Sequence, residues 1–195
     1  KLVYELKTQS SPEVEDVFVN LAVANLAENG LLHPDRVMFI SFSIHMCQRL
    51  AEMLPGYTVQ FLGSSLDPDQ LNDLKVNGVD YNHEVYVKHP KWYRRARRNG
   101  MSVNAWTVNE EKDMVRMIKM GVDQLTTDNP LQATHIGLIH TDKQIKLFIV
   151  LTGDLSRPFI AIKRYTMLSK TPFGWWIDGI SYLLCRDSCR LHIKK

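Results

Sequence analysis

The sequence has 195 residues, of which 45% are hydrophobic and 23% are charged, and its formal net charge is +3 at pH 7. These are ordinary values for a globular domain, so composition gives no reason to expect a nucleic-acid-binding protein. The three cysteines, Cys47, Cys185 and Cys189, do not make a disulfide framework. No apolar run reaches the roughly eighteen residues that a membrane span needs.

Strands and helices are predicted to alternate from the start of the chain. Residues 2–7 form an apolar run with the β-branched and aromatic residues of a short strand. Ser11-Pro12-Glu13 starts a helix, because Ser11 can cap it and proline suits the first helical position. Further strands are predicted at 36–43, 57–62, 79–82, 101–108 and 122–127, with helices at 44–53, 67–75, 90–98 and 110–120. This alternation predicts parallel strands in either a barrel or an open doubly wound sheet.

The pattern changes after Pro130. A helix is predicted to begin within 131–140, but the later apolar segments at 145–151, 159–164 and 174–185 do not continue the alternation. Residues 131–195 contain ten Lys or Arg against four Asp and no Glu. We therefore divide the chain into residues 1–133 and a basic, aromatic extension of unknown fold at 134–195. This extension is either foreign to the domain or an unfamiliar appendage.

Three motifs resemble one enzyme family. They are Tyr4-Glu5-Leu6-Lys7, Asn104-Ala105-Trp106-Thr107-Val108-Asn109, and the run Gly-Val-Asp-Gln-Leu-Thr-Thr-Asp-Asn-Pro at 121–130. In this order and spacing they resemble the second half of a glycerophosphodiester phosphodiesterase, a family that hydrolyses glycerophosphodiesters to glycerol 3-phosphate and an alcohol. The resemblance implies an α/β fold, the C-terminal portion of a TIM (β/α) barrel. A complete barrel takes about 250 residues, so the length also favours a partial one.

The first motif predicts two side chains in an active site. Strand ends line the active site of an α/β barrel, and alternate residues share a face, so Glu5 and Lys7 project together into the mouth. The resemblance assigns Glu5 as a ligand of a divalent metal, Mg or Ca, and Lys7 as a catalytic residue. An isolated Glu-x-Lys sequence is more often an exposed ion pair on a strand. The assignment of Glu5 and Lys7 therefore depends on the two downstream motifs.

Two aromatic residues are predicted to bind substrate. Trp106 matches a tryptophan that, by the resemblance, forms a wall against the substrate, and Phe42 matches an aromatic residue that shapes the pocket. The alternative for both is ordinary core packing. Asp128 closes the last motif, and we interpret it as the N-cap of the next helix rather than as a phosphate ligand.

The resemblance also implies what is missing. The family's catalytic histidines and its acidic pair lie upstream of the Glu-x-Lys strand, and none can be assigned here. Because a divalent ion needs several oxygen ligands, we expect the chain alone to bind metal poorly and to be inactive. We expect it to self-associate through the exposed edges of an incomplete barrel. Its expected partner is a small-molecule glycerophosphodiester and not nucleic acid, because the basic run 94–98 reads as a solvated helix face.

Three alternatives stay open at this point. The chain could be a noncatalytic phosphate- or partner-binding remnant of a barrel, in which Lys7 and Trp106 bind a ligand without turnover. It could belong to another barrel phosphodiesterase, of the phospholipase or sphingomyelinase type. Finally, the basic extension could be the functional part of the chain and bind an anionic surface.

Overall fold

The computed structural model describes residues 1–140 and, beyond them, four strands, and it confirms the predicted alternation of strand and helix. The strands of the first part are β1 Leu2–Leu6, β2 Val37–Ser41, β3 Thr58–Phe61, β4 Gly78–Asn82, β5 Ser102–Trp106 and β6 Gln124–Leu125. The helices are α1 Pro12–Glu28, α2 Ile44–Met53, α3 Pro68–Asp73, α4 His83–Lys88, α5 Pro90–Arg98, α6 Glu111–Met120 and α7 Pro130–His140. Of the described helices, none is long and apolar enough to cross a membrane.

Local sequence signals account for where several helices begin and end. The Ser11 side chain accepts a hydrogen bond from the Val14 amide at 3.4 Å, as an N-cap does. Asp67 and Gln70 form a complete capping box at the start of α3. Gly121 ends α6 with a φ of 88°, a left-handed conformation that glycine adopts without a steric penalty.

Strands β1 to β6 form one parallel sheet in chain order. Each strand pairs with the next, from Leu2 opposite Val37 on β1 and β2 to Ala105 opposite Leu125 on β5 and β6. Because parallel strands in sequential order place their C-terminal ends at one edge, the ends of β1, β2, β4 and β5 share that edge. The helices pack against one face of the sheet, which we call the outer face, and the opposite face is the inner face.

The extension adds strands to this sheet. Strand β7, Phe148–Gly153, pairs in parallel with β1, and β8, Ala161–Thr166, pairs antiparallel with β7. Strands β9, Tyr182–Leu183, and β10, His192–Ile193, form a separate antiparallel pair. The expectation of an open edge at β1 is therefore wrong, since the apolar run that begins near residue 145 supplies a partner strand. Most of the predicted segment 174–185 lies outside the described residues.

Two apolar clusters lie on the two faces of the sheet. The outer-face cluster joins strand residues such as Leu6, Phe39 and Val103 to helix residues such as Leu50 and Met114, all of them fully buried. Tyr4 also belongs to it, as the alternation along β1 predicts. Among the described side chains, the inner-face cluster contains four buried residues, Val3, Met38, Ile40 and Leu62, with Trp106 packed against it. Most of the apolar burial is thus between sheet and helices.

Cys47 on α2 is fully buried. Its thiol lies 3.7 Å from the carbonyl oxygens of Ser41 and Gln60. Burial raises the pKa of this thiol far above its ordinary value, so it stays neutral and unreactive.

The basic run on α5 is paired with carboxylates. Arg97 makes a two-pronged pair with Asp123, at 2.6 Å and 2.9 Å. Arg95 and Arg98 both lie within ion-pair distance of Asp69, at 3.5 Å and 2.9 Å. The run was predicted to be a solvated helix face, and the structure shows a partly solvated one, because Arg95 and Arg97 are half-buried against these partners.

Candidate active site

Glu5 and Lys7 lie together at the C-terminal end of β1. Glu5 is 6% exposed and belongs to the inner face, because its neighbours Tyr4 and Leu6 face the helices. The Lys7 ammonium donates a hydrogen bond to the Glu5 carboxylate and forms an ion pair with it. The side chain of Lys7 is 37% exposed, so it reaches from the buried carboxylate towards solvent. The predicted pair therefore exists, at the predicted edge of the sheet.

Phe42 and Trp106 form an aromatic wall at the same edge. Their rings meet edge to face, with centroids 5.8 Å apart and an interplanar angle of 83°. Trp106 is fixed on one side by its indole N–H, which donates to the Asp80 carbonyl oxygen at 2.8 Å. Phe42, just beyond β2, is 45% exposed. The structure thus brings together the two residues that were predicted separately as substrate-binding, and leaves one of them open to a ligand.

A polar layer lies deeper on the inner face. The Gln60 side chain donates to Ser102 Oγ at 3.0 Å and to Gln124 Oε1 at 2.8 Å, so it reaches from β3 across β4 to β5 and β6. It crosses β4 over Gly78, where a Cβ would lie 2.5 Å from Gln60 Cγ and 2.4 Å from Ser102 Oγ. Glycine at this position makes the crossing sterically feasible.

Asp80 is the principal site residue that the sequence reasoning missed. It is 1% exposed, and its Oδ1 has no hydrogen-bond partner among the described residues. Burial raises the pKa of this carboxyl well above its usual range, and the negative charge of Glu5 raises it further, while a hydrogen bond from Asn104 acts in the opposite direction. A signal was available, since Asp80 and Asn82 alternate along a short apolar strand and thus share a face.

The described residues do not make a complete divalent-cation site. Within them there is no group of three or more His, Cys, Asp or Glu side chains placed to hold a metal. Glu5 offers one carboxylate, whereas Mg²⁺ and Ca²⁺ take about six or more oxygen ligands. His89, at the start of α5, stacks on Trp92, with ring centroids 4.4 Å apart.

The last motif folds into a hydrogen-bonded turn. Asn109 accepts from the Asp128 amide at 2.9 Å and donates to the Asp128 carboxylate at 2.8 Å. Helix α7 starts at Pro130, and the carbonyl of Asn129 accepts its first bond, from Ala133 at 3.1 Å. The predicted N-cap position of Asp128 is therefore one residue too early, because its carboxylate is engaged by the β5–α6 connection.

Comparison with known proteins gives one consistent result. The model of the glycerophosphoryl diester phosphodiesterase family matches residues 2–132. A glycerophosphodiester phosphodiesterase of Caldanaerobacter subterraneus subsp. tengcongensis is 39% identical over 103 residues, which are 49% of this chain and 40% of that protein. The chain thus spans about two fifths of the length of this curated relative.

Solved structures show the same fold. The crystal structure of a glycerophosphodiester phosphodiesterase from Parabacteroides distasonis is 34% identical, with a TM-score of 0.68, over 71% of this chain and 58% of that one. A phosphodiesterase of Oleispira antarctica, solved with the product sn-glycerol-3-phosphate, is 17% identical with a TM-score of 0.54, over 68% of this chain and 53% of that one. The predicted fold class, a partial TIM (β/α) barrel, is confirmed.

Proposed function

Because the chain belongs to the glycerophosphoryl diester phosphodiesterase family, we propose that it supplies one side of an active site for hydrolysis of glycerophosphodiesters to glycerol 3-phosphate and an alcohol. The observation that carries this proposal is the placement of the Glu5–Lys7 pair and of the Phe42–Trp106 wall at one edge of the sheet. A cationic donor beside an aromatic wall suits a substrate with a phosphate at one end and a carbon skeleton at the other.

Lys7 is the proposed phosphate contact. Its ammonium is partly exposed and is held in place by the buried Glu5 carboxylate. A positioned ammonium stabilises the charge of a phosphate, most strongly where water is partly excluded. The Oleispira antarctica structure was solved with sn-glycerol-3-phosphate, which supports this ligand as the first to test.

Glu5 is the proposed ligand of a divalent metal, Mg or Ca. One carboxylate holds such an ion only weakly, so a tight site needs further ligands from outside the described residues. We therefore propose that the chain by itself binds the glycerol phosphate end of the substrate weakly and does not turn it over. Asp80 adds a second carboxyl on the same face, but its burial keeps it protonated to a higher pH than an exposed aspartate.

A titration of sn-glycerol 3-phosphate by isothermal calorimetry tests the role of Lys7. The Lys7→Gln variant is expected to bind at least about tenfold more weakly than the wild type, because a hydrogen bond to a charged group contributes about 1.5–3 kcal/mol. Lys91→Gln is the matched control, since Lys91 is an exposed lysine on α5. Equal affinities of wild type and Lys7→Gln would contradict the proposed site.

A noncatalytic phosphate-binding role is the second candidate, and the incomplete metal site among the described residues favours it. Titration of Mg²⁺ and Ca²⁺ into the wild type and into Glu5→Gln distinguishes the enzymatic role from the noncatalytic one. Cation binding that Glu5→Gln abolishes supports the metal-dependent enzyme. Binding of sn-glycerol 3-phosphate that depends on neither the cation nor Glu5 supports the noncatalytic role.

A further inference from the structure

Glu15 is a buried acidic residue that lies outside the proposed substrate contacts. It belongs to the first turn of α1 and is 5% exposed, whereas the other buried residues of this helix are apolar. Burial of a carboxyl group is unfavourable unless its oxygens accept hydrogen bonds. Both oxygens of Glu15 do so, and their two donors lie in different connections of the fold.

The first donor belongs to the β1–α1 connection. The backbone N–H of Gln9 donates to Glu15 Oε1 at 3.3 Å. The side chain of Gln9 donates in turn to the carbonyl oxygen of Lys7 at 2.5 Å. Lys7 directly follows β1, which ends at Leu6. Glu15 therefore holds Gln9, and Gln9 holds the backbone of the proposed phosphate contact.

The second donor belongs to the β2–α2 connection. The Ser43 hydroxyl donates to Glu15 Oε2 at 2.6 Å and, as the N-cap of α2, accepts from the Met46 amide at 3.2 Å. The backbone N–H of Ser43 donates to Ser41 Oγ at 3.0 Å. Phe42 lies between these two serines. The backbone on both sides of this ring is therefore fixed by hydrogen bonds.

The two connections are joined at two points. One is Glu15, through Gln9 and Ser43. The other is the Ser41 hydroxyl, which donates to the Leu6 carbonyl oxygen at 2.8 Å. The serines are 0% and 8% exposed, so a donor that loses its acceptor there is poorly compensated by water. Removal of the Glu15 acceptors should therefore loosen both connections.

We propose that Glu15 is a positioning residue for the candidate active site, which holds the connection after Lys7 and the connection that contains Phe42 in one arrangement. Ligand-binding side chains act well only when neighbouring hydrogen bonds fix them. The proposal rests on the proposed function, because Lys7 and Phe42 are the substrate contacts proposed there. A purely structural role of Glu15 predicts a loss of stability that leaves the site unchanged.

Fluorine NMR of the full chain labelled with fluorotryptophan tests the geometry without any ligand. The sequence has four tryptophans, and the Trp106 signal is assigned by its loss in Trp106→Phe. Glu15→Leu removes both acceptors at similar side-chain size, so the Phe42 ring, whose centroid lies 5.8 Å from that of Trp106, should shift and displace this signal. Glu15→Gln should displace it less, because an amide still accepts from Gln9 and can donate to Ser43 Oγ.

Two control variants on α1 separate positioning from stability. Asp16→Asn changes the neighbouring carboxylate, which contacts His45 and Arg49 of α2 at 3.0 Å and 3.3 Å instead of a connection. Val19→Ala removes fully buried apolar atoms from the same helix and so lowers its stability. Both controls should leave the Trp106 signal at its wild-type position. Thermal unfolding followed by circular dichroism checks that each variant is folded.

Calorimetric titration of sn-glycerol 3-phosphate measures the consequence for binding. Glu15→Leu should bind about three- to tenfold more weakly than the wild type, as the loss of about one net hydrogen bond predicts. Glu15→Gln should lie between the two, and both controls should bind like the wild type.

Several results would overturn the proposal. They are a Trp106 signal that Glu15→Leu leaves unchanged, an equal displacement by Val19→Ala, and a Glu15→Gln variant that binds no better than Glu15→Leu. If Glu15→Leu does not fold, Glu15→Gln is the test. A Trp106 signal displaced no further there than in Asp16→Asn then overturns the role of Glu15.

The two measurements also separate this inference from the proposed function. If the wild type does not bind sn-glycerol 3-phosphate, the proposed function is contradicted. The NMR measurement needs no ligand, so a displaced Trp106 signal then still supports positioning by Glu15, and an unchanged signal overturns it. If the wild type binds and Glu15→Leu binds equally well, the role of Glu15 is overturned and the proposed function is not.

Discussion

The two faces of the sheet differ in how they are filled. The outer face is packed with apolar side chains from β1–β6 and from the helices, and most of the large buried side chains belong to it. Within the described part of the chain, the inner face holds a four-residue apolar cluster, a polar layer and the oxygens of Gln60 and Asp80 that have no partner there. The outer face therefore carries most of the folding free energy, while the inner face keeps polar groups available for a ligand.

The largest expected effect comes from truncating an outer-face ring. Phe39 is fully buried and contacts Tyr4 and Tyr57, with ring centroids 6.3 Å and 6.1 Å apart. Phe39→Ala should lower the free energy of unfolding by about 3–5 kcal/mol. Phe42→Ala, three residues along the chain but 45% exposed, should lower it by less than about 1 kcal/mol. Denaturation in urea measures the free energy of unfolding of both variants. Equal decreases would contradict the difference in packing between the two faces.

An intermediate effect is expected at Gly78. A methyl group there collides with Gln60 Cγ at 2.5 Å and Ser102 Oγ at 2.4 Å, so Gly78→Ala should cost about 1–3 kcal/mol. In a Gln60→Ala background one collision is removed, and the cost should shrink without vanishing. Urea unfolding of the wild type, Gly78→Ala, Gln60→Ala and the double variant gives the coupling free energy between the two positions. A cost that is the same in both backgrounds would show that Gln60 does not cross over Gly78.

The smallest effect is a pH slope from Asp80. Its pKa is raised in the folded state, so between about pH 4 and the folded pKa the folded protein holds a proton that the unfolded chain has lost. The free energy of unfolding should therefore fall with rising pH in this window, by up to about 1.4 kcal/mol per pH unit, and then level off. Asp80→Asn should remove this slope. If the free energy of unfolding depends on pH in the same way in the wild type and in Asp80→Asn, the raised pKa of Asp80 is contradicted.

Features encoded locally were predictable from the sequence. Ser11, Asp67 and Gly121 mark helix ends through contacts within a few residues, and the structure places each of them at the expected end. Helix α4 was missed, although Asn82 caps it by accepting from the Glu84 amide at 2.9 Å. That helix follows its strand with no intervening residue, and no turn signal separates the two.

Features that depend on distant contacts were not predictable from local sequence patterns. The resemblance gave Glu5, Lys7, Phe42 and Trp106 as separate residues, and only the fold shows which of them touch. The alternation of Asp80 with Asn82 indicates a shared face, but it does not indicate burial, because the burial of Asp80 comes from neighbouring strands. The pairing of β7 with β1 joins segments more than 140 residues apart, and strand content at 145–151 does not specify a partner.

The crossing of Gln60 over Gly78 has an evolutionary consequence. The Gln60 side chain joins β3 to β5 and β6 across β4, which has no side chain at Gly78, so positions 60, 78, 102 and 124 are coupled through contacts. A side chain gained at 78 meets both Gln60 and Ser102, so a lineage that shortens residue 60 lowers the cost of that change without removing it. Shortening of residue 60 should therefore precede the gain of a side chain at 78.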